Sequence, residues 1–211
     1  MSEPSNVSHD TSPLPSLREP TNANLIPFAI MCSAWFMPVL KFWALVWGLF
    51  RPYDYTGGDV APELLPFLVG LGICLLPWWL PKAYYQIRPF EQTGRFYHML
   101  GVPHFRKMVP NGDWINAWRR RTTPTFRVIS NRAEAKIYLG RTVVGEKSHL
   151  VLLLVGIATP LYALHIGWTS WAVYFAITNV IFHLYPILLQ RYTRARLVRF
   201  FWPARKTREH A

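Results

Sequence analysis

Four long stretches of this chain are nearly free of charge, and no other feature limits its fold so strongly. Residues 25–50 carry one charged side chain, Lys41, and residues 64–80, 149–166 and 168–190 carry none. A helix needs roughly 20 apolar residues to cross a ~30 Å hydrocarbon core, and in lipid only helices and closed barrels satisfy their own backbone. We therefore expect an all-α membrane protein with four transmembrane helices and a cytoplasmic, interfacial helical segment between the second and third. Only Gly167 separates the last two spans, which predicts a tight antiparallel hairpin. Pro38 predicts a kink in the first span, where Lys41 either snorkels or meets a polar partner. Residues 1–24, rich in Ser, Pro, Asn and Thr and without an aromatic, read as a disordered tail with no cleaved signal. Residues 25–211 read as one integral membrane domain.

The placement of charge sets the orientation. Thirteen of the 23 basic residues lie in the segment 82–148 and seven more in the tail 191–211, whereas the connection 51–62 sets Arg51 against Asp54 and Asp59, and Glu63 follows at the edge of the next span. Basic loops stay on the cytoplasmic side, so both termini are expected there, in a multi-pass protein of the plasma membrane. The net charge of +12 has no nucleic-acid-binding motif beside it, and anionic headgroups account for it instead. Cys32 and Cys74 both fall inside apolar runs, which predicts buried thiols and neither a disulfide nor a metal site.

A segment as long as 82–148 is expected to be partly folded. Residues 85–100 read as an amphipathic helix with Phe90, Tyr97 and Leu100 towards the bilayer and Glu91 paired to Arg95 at i,i+4. Gly94 within that pattern is costly, which predicts close approach of a helix or a ligand. Gly101 predicts a helix stop, and Pro110-Asn111-Gly112-Asp113 a turn. Trp114, Ile115 and Trp118 beside Arg119, Arg120 and Arg121 read as an interfacial anchor.

Two groups of residues have chemical potential. Glu146 and His149 share a helical face, and a carboxylate beside an imidazole fixes its tautomer and suits a general base. The competing reading is an interfacial imidazole and a carboxylate at a helix start. A single Glu-x-x-His pair falls short of a carboxylate di-iron site, so no metal ligands are expected. After the last span, Arg191, Arg194 and Arg196 form either a phosphate or carboxylate clamp or simple headgroup anchors. Asn179, His183 and Gln190 form a polar stripe that binds substrate or joins helices.

In order along the chain stand Phe90-Glu91-x-x-Gly94-Arg95-Phe96-Tyr97, the Pro110-Asn111-Gly112 turn, Glu146-x-x-His149 and Gln190-Arg191-Tyr192-x-Arg194-x-Arg196. This series resembles the glycosyl-4,4'-diaponeurosporenoate acyltransferase family of bacterial membrane proteins, over roughly residues 90–200. The resemblance implies esterification of a sugar hydroxyl on a glycosylated carotenoid, or a related glycolipid, by a fatty acyl group. It places the chain in a bacterial inner membrane, among membrane lipids. For that reaction the residues themselves, and not the resemblance, suggest His149 as the base and Glu146 as its orienter. Arg191, Arg194 and Arg196 hold the phosphates of an acyl-CoA or similar thioester donor, with no bound cofactor. Glu91, Gly94, Arg95, Asn111, Asp113, His183 and Gln190 complete the substrate-binding set. The alternative is a non-catalytic subunit with partner subunits in a larger photosynthetic or respiratory membrane complex, its tryptophans serving as contact surface.

Overall fold

A long apolar run closes its backbone hydrogen bonds locally where no water competes for them. The computed structural model describes residues 25–46, 72 and 75–203, and among these residues its regular structure is all helical, with no strand. Three helices are long and apolar enough to cross a membrane: α1 (Leu25–Val46), α5 (Arg132–His165) and α6 (Thr169–Phe201). Between α1 and α5 lie 3₁₀ turns at Leu76–Trp79, Lys82–Tyr85 and Pro89–Glu91, then the short helices α2 (Arg95–Met99), α3 (Val102–Met108) and α4 (Asp113–Thr122). The expected tail 1–24, the connection 51–63, residues 47–50 of the first span, Cys74 and most of the second span lie outside the described residues, as do residues 204–211.

The third and fourth apolar runs are parts of much longer helices. α5 starts well before His149, where the Asn131 side chain accepts from the Glu134 N–H (2.8 Å) and Glu134 accepts from the Ser130 N–H (2.7 Å). That reciprocal cap satisfies donors that a helix start leaves open. At roughly 1.5 Å per residue the 34-residue helix is about 50 Å long, so its charged first third projects beyond a ~30 Å hydrocarbon core. Gly167, at φ 78°, ends it: the Gly167 N–H bonds to the Leu164 carbonyl (3.0 Å) and the Trp168 N–H to that of Ala163 (2.7 Å). This pairing reverses the chain within one residue and makes the expected hairpin of α5 and α6.

Apolar and small residues hold the three long helices together. Trp35, Val39 and Phe42 of α1 are buried against Ala163 of α5 and Ala172 and Phe175 of α6. Phe42 is fully buried, with its ring edge-on to Trp168 (5.6 Å) and Phe175 (5.3 Å). Trp43 stacks on Tyr162 (5.2 Å) and donates to the Thr159 hydroxyl (3.3 Å). Lys41 is exposed on α1. Outward positions such as Phe28, Leu161, Leu164 and Ile177 are apolar and exposed, as a lipid-facing surface requires. Two π turns interrupt this bundle, Cys32–Phe36 in α1 and Val180–Leu184 in α6.

The expected amphipathic helix over 85–100 is replaced by short pieces. Pro89 holds Arg88 extended (ψ 157°), and the Glu91 carboxylate reaches back to accept from the Arg88 N–H at 2.7 Å. Gly94 then turns left-handed (φ 75°) ahead of α2. Glu91 consequently makes no pair with Arg95. Tyr97 is fully buried and does not face outward, whereas Phe90 and Leu100 are exposed. Gly101 (φ 70°) separates α2 from α3, and Asn111 (φ 56°) turns the chain into α4. Trp114 and Trp118 are exposed beside Arg119, Arg120 and Arg121.

Where α5 crosses α6, Gly156 lies directly beneath Asn179, whose amide donates to the Leu153 carbonyl (3.2 Å). A Cβ on Gly156 would stand 1.9 Å from the Asn179 Oδ1, whereas one on Gly140 would meet nothing within 4 Å. Gly156→Ala is therefore expected to cost about 1–3 kcal/mol of stability and Gly140→Ala to gain up to about 1 kcal/mol. Thermal unfolding of the two variants in detergent checks the contrast.

Candidate functional site

Past the π turn of α6, Gln190, Arg191 and Arg194 face α5 and the 82–97 segment folded across both helices. Four residues converge on Arg191. Its Nε and Nη2 bond Glu91 in a fork (2.6 and 2.9 Å), and its Nη1 bonds Glu146 (2.9 Å). The remaining capacity goes to the Tyr84 and Gln86 carbonyls (3.3 and 3.4 Å), with the Tyr84 ring 5.7 Å from the guanidinium. Arg194 donates from Nη2 to the other oxygen of Glu146. The result is a neutral cluster of two carboxylates and two guanidiniums, in which Glu146 is fully buried.

Charges this deep are tolerable only when every partner is present. Burial by itself pushes the Glu91 carboxyl up. Hydrogen bonds from Arg191, from the Tyr97 hydroxyl (2.6 Å) and from the Arg88 N–H outweigh it and hold the group at about 2. Tyr97 is displaced upward, first by burial and then by its bond to that carboxylate, so its hydroxyl stays a donor. Tyr85, donating to the Pro77 carbonyl (2.6 Å), is likewise raised by burial and by Glu146.

A histidine pair sits one turn deeper. His149 Nδ1 and His183 Nδ1 are 3.4 Å apart. His183 is fully buried, with its ring edge-on to Trp35 at 4.1 Å between centroids. The two π turns therefore meet here, one carrying Trp35 and the other His183. Such turns aim side chains that a regular helix would point elsewhere, and they concentrate at functional positions. His183 Nε2 and the indole nitrogen of Trp35 are buried without a hydrogen-bond partner among the described residues.

The expected site residues thus fall into distinct places. Glu146 turns its carboxylate to the arginines of α6 and not to His149, whose partner is His183. Glu91, Arg191 and Arg194 join Glu146, and Gln190 lies against Gly145, where a Cβ would be 3.0 Å from its amide. Gly94 backs onto Tyr192, its position for a Cβ 3.6 Å from the ring. Arg95 and Arg196 are exposed, the latter 5.6 Å from the Tyr192 ring centroid. Asp113 pairs with Arg106 (2.7 Å) and the Asn111 carbonyl accepts from the Asn116 amide (2.7 Å), bonds that close the corner between α3 and α4. No three His, Cys, Asp or Glu side chains converge on a metal site among the described residues. Reading the sequence alone missed Tyr97, Trp35 and both long-range pairings. One signal was available: Glu91 and Glu146 are two of only four acids in a segment with thirteen bases, and both are buried.

The cluster makes stability depend on charge in two ways. Glu146→Gln leaves Arg194 without its counter-ion and is expected to cost roughly 3–5 kcal/mol. Because the Glu91 carboxyl lies below its ordinary value of 4.5, its contribution is present in full above that pH and is lost as the pH falls towards 2. Thermal midpoints in detergent should decline over that window in the wild type, and Glu91→Gln should start lower and lack this part of the decline.

Comparison with known proteins locates the chain among families. The model of the glycosyl-4,4'-diaponeurosporenoate acyltransferase family matches residues 81–202, more than half of the 211. No curated protein and no solved structure matches the chain. Every member of the charge cluster and both histidines fall within the matched residues, and the chain belongs to the glycosyl-4,4'-diaponeurosporenoate acyltransferase family.

Proposed function

We propose that the protein transfers a fatty acyl group from a thioester to a hydroxyl of a glycosylated carotenoid or related glycolipid, in the bacterial plasma membrane with both termini cytoplasmic. The observation that carries this reading is the coincidence of the family match with the buried cluster and the histidine pair.

His149 is the base in this mechanism. Half-buried, it has access to substrate that the fully buried His183 lacks. In the tautomer that carries its proton on Nδ1, on the His183 side, the lone pair at His149 Nε2 is available to the substrate, and His183 helps to orient the ring. The acceptor's O–H gives its proton to Nε2 as the oxygen attacks the thioester carbonyl. When the C–S bond breaks, the departing thiolate takes that proton from His149 and the ester remains. Glu146 serves the site through Arg191 and Arg194, which fix α6 against α5 and so set the distance between the two imidazoles.

His149→Ala is expected to lower ester formation about 10²–10⁴-fold without loss of folded protein. The measurement is acylated glycoside produced by membranes supplied with donor and acceptor. Full activity in that variant would remove His149 from the chemistry.

A further inference from the structure

Beside the cluster a groove of about 1130 Å³ opens between the 85–95 segment, the early part of α5 and the end of α6. Leu139, Val143 and Val198 make it apolar, whereas Arg95, Arg194 and Arg199 line it with positive charge. Among the described residues no acidic side chain lines it. Its volume exceeds the roughly 300–1,000 Å³ common for small-ligand pockets, which suits an elongated occupant.

The three arginines differ in what they already hold. Arg199 gives one N–H to the Thr93 carbonyl (3.1 Å), and Arg95 makes no ion pair among the described residues. Arg194 bonds Glu146 through Nη2 alone, and its Nε and Nη1 are buried with no partner among the described residues. Unmet donors on a buried guanidinium are costly, and Arg194 loses that cost if it turns them to an anion in the groove it lines. Arg191, by contrast, is fully engaged by Glu91 and Glu146. The expected clamp of Arg191, Arg194 and Arg196 therefore shifts to Arg95, Arg194 and Arg199.

The groove also points somewhere. Leu139, Val143, Glu146 and His149 are spaced by four, three and three residues on α5, so they share one face. From Val143 to His149 that face runs about 9 Å. Resting on the proposed acyl transfer, we infer that this groove holds the acyl donor: a fatty acyl thioester whose carrier bears several phosphates, with the phosphates on Arg95, Arg194 and Arg199 and the acyl-bearing end directed along α5 to His149. Three cations around an apolar trough match a multiply phosphorylated amphiphile better than a single phosphodiester headgroup.

The test is equilibrium binding of a non-hydrolysable thioether analogue of palmitoyl-CoA to the purified full chain in detergent. Arg95→Gln and Arg199→Gln should each weaken binding about ten- to hundredfold, and their combination more. Arg120→Gln, on the exposed side of α4, should leave it unchanged. An analogue without phosphates, the S-hexadecyl thioether of N-acetylcysteamine, should bind weakly and be indifferent to both substitutions. Unaltered affinity in the Arg95→Gln/Arg199→Gln protein would overturn the assignment. So would displacement of the analogue by lysophosphatidic acid at equal concentration, which would make the groove a lipid-headgroup site. Failure of the catalytic reading looks different: the analogue binds, depends on both arginines, and no ester forms with any acceptor.

Discussion

Arg191 holds this structure in one piece. Its guanidinium joins a carboxylate from α5, a carboxylate from the 89–91 turn and two carbonyls of the 84–86 stretch, elements separated by as much as about half the chain. A buried pair of carboxylates repels, and a buried pair of guanidiniums does too. Interleaved, the four neutralise one another, and each hydrogen bond also fixes direction. The geometry leaves little freedom: move α6 along α5 by one residue and both Glu146 bonds are lost together.

That registration is what delivers the chemistry. His149 lies one turn beyond Glu146 on α5, and His183 lies two turns before Arg191 on α6, so the ion cluster and the imidazole pair are successive rungs between the same two helices. A slip at one rung displaces the other. The π turn at Val180–Leu184 adds the local rotation that turns His183 inward, and Trp35 from the facing π turn of α1 fills the space behind it. The 85–95 segment, clamped by Glu91, then forms one wall of the groove beside the cluster. Fold, cluster and groove are thus one arrangement read at three depths.

Much of the fold was legible from hydropathy. The apolar runs identified α1, α5 and α6, and Gly167 and Asn111-Gly112 marked the sharpest reversals. Helix ends were not legible there, because hydropathy reports contact with lipid and not helicity: α5 begins at Arg132 among charges, and α6 continues to Phe201 through an arginine-rich stretch. In 85–100 the spacing of Phe90 and Tyr97 suggested a helix, but Pro89 and Gly94 prevailed, as backbone restrictions usually do over periodicity. For the site, Glu146 and His149 stood out by local spacing, and local spacing misassigned their partners. Arg191 meets Glu91 across 100 residues of sequence, and His149 meets His183 across 34. Only a fold brings such pairs into view.

The central claim, that the 89–91 turn is locked to α6 by charge, is tested most directly by a double-mutant cycle on Glu91→Gln and Arg191→Gln, read as unfolding free energy in detergent. Each single change strands a buried charge that the double change removes, so the account predicts a double variant less damaged than the sum, with a coupling of about 1–3 kcal/mol. Effects that add to within roughly 0.3–0.5 kcal/mol would contradict it.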